Sequence, residues 1–248
     1  MKRHLVLFAG VVSFCVFARA SRADGAWPVF ESGTAQNSLL ELYTSEGCSS
    51  CPPAEAWLAR LRSNPDLWKH VVPVAFHVTY WDNLGWPDRF AQSDFTQRQR
   101  SYAAAWSSDS VYTPEFVANG REWHPGNPIS ASPDAGVLRV RFSDATHVVV
   151  SFKPTQSSAT GFTASVAPLA GGIVNDVRGG ENSGRKLPHE FVALGLINTP
   201  MKWSDGEWTA QLTLPTNAVA PIESLAAWVT ADGDSAPVQA VGGWLEKS

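Results

Sequence analysis

The sequence predicts an α/β fold in its first half and an all-β region in its second, and three observations carry that expectation. A short apolar run at 38–43 is followed by a Cys-x-x-Cys pair, a helical pattern and a near-continuous apolar run at 71–78. A Thr113-Pro114 step then opens a further strand-like run at 115–119, closed by Gly120. After about Ser132 the chain turns into short alternating segments separated by turns, with no strong interior helix.

Each element has its own signal. The first strand stops at the turn cluster Thr44-Ser45-Glu46-Gly47, and the cysteines follow directly. From Pro53, Ala, Trp and Leu recur at helical spacing until Ser63-Asn64-Pro65 stops the helix. The run at 71–78 suits a strand covered on both faces. Strand, dithiol, helix, strand is the thioredoxin-like order. The segment at about 84–108 reads as an all-helical insertion, helical from Phe95 onward with Ser93 or Asp94 as its cap. Strands are expected at 137–142, 147–152, 162–168, 191–197, 208–214, 225–230 and 238–245. The expected organisation is a leader at 1–23, an irregular extension at 24–37, a thioredoxin-like domain at 38–135 and an all-β subdomain at 136–248, in the form of a small sandwich or barrel.

Lys2, Arg3 and His4 precede an apolar stretch at 5–17, the pattern of a secretory signal peptide with cleavage after Ala20 or Ala23. Thirteen apolar residues are short for a membrane span, so no stable membrane insertion is expected after cleavage. The leader carries four basic residues and no acid; its removal after Ala23 leaves 225 residues and moves the formal charge from −4 to −8. That charge disfavours nucleic acid and anionic membrane surfaces as partners. A periplasmic or secreted location follows, and Cys15 leaves with the leader.

Cys48 and Cys51 then remain, and in an oxidising compartment they are expected to form a disulfide. Closing so short a loop stabilises little, so the spacing favours redox work over stapling. A dithiol exchanges through a thiolate, which a helix amino terminus favours. Cys48, placed just before the first turn, is the expected nucleophile, and Cys51 resolves the mixed disulfide.

Thr113-Pro114 is the second component. A cis proline beside the dithiol exposes the preceding backbone to an extended chain, and a cis bond costs little before proline. His77, Tyr80, Trp81 and Asp82 emerge at the carboxyl edge of the sheet and line the site in this reading, with Asp82 or His77 able to take the Cys51 proton. They read equally well as a hydrogen-bonded core histidine and a turn-capping Asp. Cys48, Cys51 and His77 also form a thin ligand set for Cu(I) or a three-ligand Zn(II) site, but His70, His124, His147 and His189 show no paired zinc spacing, so no metal and no cofactor is expected. The glycine-rich basic loop at 178–186 lacks the Gly-Lys-Ser/Thr triplet of a phosphate cradle and reads as a wide turn.

Five motifs, LELYTSEGCSSCPPAE (40–55), AFHVTYWDNLGWPDRF (75–90), FTQRQRSYA (95–103), VYTPEFVANG (111–120) and RGGENSGR (178–185), resemble a secreted bacterial thioredoxin-like family catalogued as a domain of unknown function. The resemblance implies a thioredoxin-like core with a helical insertion and an extra all-β subdomain, with Cys48 and Cys51 as the dithiol and Pro114 as its neighbouring proline. The dithiol lacks the preceding Trp and internal Gly-Pro of thioredoxin, so thioredoxin's partners are not implied. The expected activity is thiol-disulfide exchange with cysteine-containing exported proteins or a redox partner protein. The alternatives are a non-enzymatic binding protein with a structural disulfide and a copper-handling protein using the Cys pair.

Overall fold

The computed structural model describes residues 27–156 and 160–245. The expected leader at 1–23 lies outside the described residues. Strands β1 (Val29–Glu31) and β2 (Ser38–Thr44) precede helix α1 (Pro52–Ala59), which a 3-10 turn at Arg60–Ser63 extends. Strand β3 (Val71–His77) leads through a 3-10 turn at Thr79–Trp81 into helix α2 (Ser93–Ala105), then β4 (Glu115–Ala118) and β5 (Arg121–Trp123). Eleven strands follow: β6 (Gly136–Phe142), β7 (His147–Pro154), β8 (Phe162–Ala170), β9 (Ile173–Asp176), β10 (Lys186–His189), β11 (Val192–Ala193), β12 (Ile197–Pro200), β13 (Lys202–Ser204), β14 (Glu207–Thr213), β15 (Ser224–Ala231) and β16 (Pro237–Trp244).

The largest sheet has nine strands in the order β16-β15-β8-β11-β3-β2-β4-β5, with β12 also on β8. Only β2 with β3 and β3 with β11 run parallel among these strand pairs. The α1 crossover makes the first of these pairings possible, because parallel neighbours need a long connection. A five-stranded antiparallel sheet, β1-β6-β7-β14-β13, and the hairpin β9-β10 complete the fold. The nine-stranded sheet takes β2 to β5 from before residue 135 and β8, β11, β12, β15 and β16 from after it, so both halves of the chain share it.

The predicted α/β class with an all-helical insertion is not what forms. Strand accounts for 41% of the chain and helix for 14%. Within 84–108 only the 13 residues of α2 are α-helical, and 84–92 runs through turns and irregular backbone past Pro87. Nor does α2 stand apart from the sheet. Its buried residues Phe95, Gln99 and Tyr102 face inward, with the Phe95 ring 4.9 Å from Phe76 of β3. It is a crossover helix covering the sheet between β3 and β4. The class changes because the later strands extend the sheet begun by β2 and β3 rather than adding helices to it. The segment at 24–37, read as irregular, contains β1, which pairs antiparallel with β6.

Two large cores lie on opposite faces of the shared strands. In β15, Ala226 and Trp228 join the core beneath the helices, while Leu225, Ala227 and Val229 face the five-stranded sheet with Val140, Val150 and Leu212. This is the period-2 alternation of a strand, here with both faces buried.

Candidate functional site

The site is built where β2 and β3 end. β2 pairs with β4 in the register Tyr43 to Glu115, so the start of β4 and the segment before it stand beside the end of β2. The loop that leaves β2 carries Cys48 and Cys51, joined by a disulfide with their Cα atoms 5.4 Å apart. Both cysteines are fully buried, whereas Ser49 and Ser50 between them are exposed.

The helix begins within a residue of its expected start, but Cys48 does not stand directly before its first turn. Cys51 is its N-cap and Pro52 and Pro53 fill the first positions, which suits residues without an N–H. The Ala54 and Glu55 N–H groups both donate to the Cys51 carbonyl at 2.9 and 3.1 Å. Cys48 therefore lies three residues outside the helix, and the first four residues of α1 offer it no free N–H. The polar contact at its sulfur is Ser50 Oγ, 3.3 Å away.

The dithiol is covered by the loop between β9 and β10, residues 177–185. Asn182, fully buried, donates from Nδ2 to the carbonyls of Glu46 and Cys48, 2.9 Å each. Its Oδ1 accepts from Arg185 at 2.6 Å. Glu181 Oε2 accepts from the Ser49 N–H at 3.0 Å and from its hydroxyl at 2.6 Å, bonds that hold its carboxyl below the usual range. The loop is a strap across the Cys-x-x-Cys turn. It also rests on the 84–86 turn, where a Cβ on Gly179 would collide with the Gly85 carbonyl oxygen.

The expected site residues divide into two groups. Tyr80, Trp81, Thr113 and Pro114 gather on the β4 side. Trp81 Nε1 donates to Thr113 Oγ1 at 2.8 Å, and Trp81 packs against Gly47, where an added Cβ would come within 3.2 Å. Tyr80 donates to Gln99 of α2 at 3.3 Å, and burial pushes its phenol up to about 12. Gln99 in turn donates to the Tyr112 carbonyl at 2.8 Å and the Glu115 carboxyl at 2.6 Å, holding both ends of the Thr113-Pro114 step. That peptide is cis, the isomer anticipated from the sequence.

His77 and Asp82 belong instead to an inner network that extends to Glu46, Glu55, Asp88 and His189. His77 Nδ1 donates to Asp88 Oδ2 at 2.6 Å, and both side chains are fully buried. Burial favours the neutral forms, but the ion pair outweighs it: Asp88 drops to about 2 and His77 rises. Asp88 also accepts the Glu46 N–H and gives its own N–H to Asp82, whose carboxyl burial raises.

His189 donates from Nδ1 to Glu55 at 2.5 Å and from Nε2 to Glu46 at 3.0 Å. Burial acts to lower it, yet its hydrogen bonds to both carboxylates push it up to about 10. Burial likewise disfavours the Glu46 carboxylate, but bonds from His189, Trp86 and Asn175 hold it below its usual range. Glu55, His77 and His189 are the described side chains grouped closely enough to hold a metal ion.

Sequence reasoning missed Glu46, Glu55, Asp88, Asn182 and His189 as site residues. Glu55 and Asp88 lie inside the quoted motifs without a pattern that marks them. The strap left one local trace, the paired glycines at 179 and 180 in a polar loop, a sign of close backbone approach.

Two solved structures are similar in fold. Protein AGR_C_4864 from Agrobacterium tumefaciens has a TM-score of 0.61 at 24% identity, covering 86% of this chain and 96% of that one. HBP35 of Porphyromonas gingivalis has a TM-score of 0.57 at 15% identity, covering 88% and 77%. At these identities the likeness carries the fold alone. No curated protein matches the chain. Residues 39–230, a span that holds both cysteines, the proline step and the strap, match the family described as protein of unknown function (DUF1223), and the chain belongs to that family.

Proposed function

We propose that the protein is an exported thiol-disulfide oxidoreductase whose Cys48–Cys51 bond exchanges with cysteines of other periplasmic or secreted proteins. The observation that supports this best is the placement of the disulfide, at the junction of a strand and a helix amino terminus with a Thr-Pro step on the neighbouring strand. Those features are shared with thioredoxin-like redox proteins, and they mark the dithiol apparatus, not the fold as a whole.

In the proposed exchange a partner thiolate attacks Cys48 Sγ and forms a mixed disulfide, while Cys51 leaves as a thiolate and takes a proton. A second partner thiolate then attacks its own sulfur, releasing the partner oxidised by two electrons and the dithiol reduced. The reverse sequence starts from the Cys48 thiolate, with Cys51 as resolving thiol. Ser50 Oγ, 3.3 Å from Cys48 Sγ, favours that thiolate, while the nearby carboxylates oppose it. Asp82, partly exposed on the loop after β3, is the proposed acceptor of the Cys51 proton. His77 is not, because its buried pair with Asp88 raises its pKa and favours the ring that already carries the proton. Tyr80, Trp81, Thr113 and Pro114 line the approach of an extended partner chain.

The burial of both sulfurs supports a second reading, a structural disulfide in a binding protein. For exchange to occur, the strap must open, which breaks the bonds from Asn182 and to Glu181. One variant separates the readings. Cys51→Ser is expected to trap covalent partners on Cys48, and the native dithiol is expected to have a potential above about −300 mV. No trapped adduct together with a potential below that value would replace the enzyme reading with the structural one.

A further inference from the structure

The inner network contains an arrangement that thiol chemistry does not use. Glu55 from α1, His77 from β3 and His189 from β10 each offer a ligand atom, and these atoms all lie within 4.8 Å of one another. All three residues are buried. Two further observations separate this trio from an ordinary buried ion pair.

The first is an orphan. His77 Nε2 is buried without a hydrogen-bond partner, although the opposite nitrogen is fixed by Asp88. A buried polar atom left this way costs about 1–3 kcal/mol, so its retention calls for an explanation. The second is support from outside the trio. His77 is held through Nδ1 by Asp88, His189 through Nε2 by Glu46, and Glu55 through Oε1 by the Thr44 hydroxyl at 2.7 Å. Each ligand thus turns one atom toward the centre while a partner outside the trio fixes its orientation, as around metal ions; His77 Nε2 is unpartnered there, and His189 Nδ1 and Glu55 Oε2 share one hydrogen bond.

We propose that Glu55, His77 and His189 form a buried binding site for a divalent first-row transition ion, Zn(II) being the ion this donor set suits. The ligand atoms are His77 Nε2, His189 Nδ1 and Glu55 Oε2. The ion takes the place of the proton shared between His189 and Glu55. Two imidazoles and one carboxylate are poor ligands for Mg(II) or Ca(II), and the thiols are tied up in the disulfide, which leaves nitrogen and oxygen ligation. The surrounding carboxylates of Glu46 and Asp88 balance the added charge. An open cleft lined by Glu46, Trp86 and Asn175 reaches the network at Glu46.

Bound there, the ion ties the helix that carries Cys51 to the hairpin that carries the strap. The proposal does not depend on the redox reading, because its ligands exclude both cysteines.

The test uses the full oxidised protein, treated with chelator and titrated with Zn(II) and, for its spectrum, Co(II). The expected result is one equivalent bound per chain, a Co(II) spectrum without thiolate charge-transfer bands, and equal binding by the Cys48→Ser/Cys51→Ser variant. Asp88→Asn should weaken the affinity about 10–100-fold and His77→Gln should abolish it. Should those variants fail to fold, the wild-type and cysteine-free titrations decide alone. No stoichiometric binding, sulfur ligation, or unchanged affinity in folded His77→Gln overturns the proposal.

Discussion

Two buried charged clusters flank β2, and they resolve the cost of burial in different ways. On the α2 face, Glu41 accepts from Arg98 at 2.5 Å, from Tyr102 at 2.7 Å and from Tyr43 at 3.1 Å. Arg98 also bonds the Tyr102 hydroxyl and lies over the Trp228 ring. Burial opposes its charge, but Glu41 holds its pKa above the usual value. On the α1 face, four carboxylates and two histidines are drawn from the β2 and β3 ends, the 82–88 turn, α1 and β10, and one nitrogen is left without a partner. The first cluster is closed by a single cation from one helix, so its role is to fix α2 on the sheet. The second stays incomplete, as a site does and a brace does not.

The largest expected effect breaks the closed cluster. Arg98→Met leaves the Glu41 carboxylate buried and unpaired and should cost about 3–5 kcal/mol in denaturant unfolding. Adding Glu41→Leu should return most of that loss. A double variant no more stable than the single one would show that charge is not what the pair contributes.

Asn182→Ala sharpens the contrast from the strap side. It removes the donor to two buried carbonyls and should cost about 1–3 kcal/mol, while dithiothreitol reduces the disulfide several-fold faster. An unchanged reduction rate would mean that the strap does not govern access.

A pH scan tests an acid on the α2 side, Glu115, that has no salt-bridge partner among the described residues. Burial raises Glu115 from 4.5 to about 6, although Gln99 donates to it. An acid whose folded pKa is raised contributes stability below the unfolded value and loses it as pH rises through the folded one. Stability from this group should therefore be complete below about pH 4.5 and decline through pH 6, and Glu115→Gln should flatten that part of the curve. A wild-type limb that persists in the variant would assign it elsewhere.

The smallest effect concerns Ser50. Its contact with Cys48 Sγ is worth about 0.5–1.5 kcal/mol, so in the reduced protein Ser50→Ala should raise the Cys48 thiol by about one pKa unit or less. Alkylation rate against pH reads the shift directly.

Local patterns were legible wherever one segment carries its own signal. The apolar runs around β2 and β3, the proline-started helix and the alternating strands β6, β7, β8, β14, β15 and β16 fall within a few residues of their expected places. The fold class was less legible, because alternation marks a strand but not the sheet it joins. Nothing in Trp228 or Ala226 says that β15 will face the helices. The site was half legible for the same reason. Cys48, Cys51 and Pro114 carry their chemistry in the local motif, whereas Asn182, though inside a quoted motif, and His189 gain theirs from partners 134 and 143 residues away. The expectation for His77 as a proton carrier had the right neighbourhood. It lacked Asp88, which only the turn at 82–88 brings into contact.

The strap has a consequence for the order in which the molecule matures. Glu181 follows Ser49 by 132 residues. At about 5–20 residues per second of synthesis, the cysteines precede their cover by about 7–26 seconds. Oxidation of the pair thus has an early interval with open thiols and a later one in which the folded strap stands in the way. Whichever oxidant closes this bond works fastest before the strap folds over it, and a chain that folds with its thiols still reduced must be oxidised through an opening of the strap.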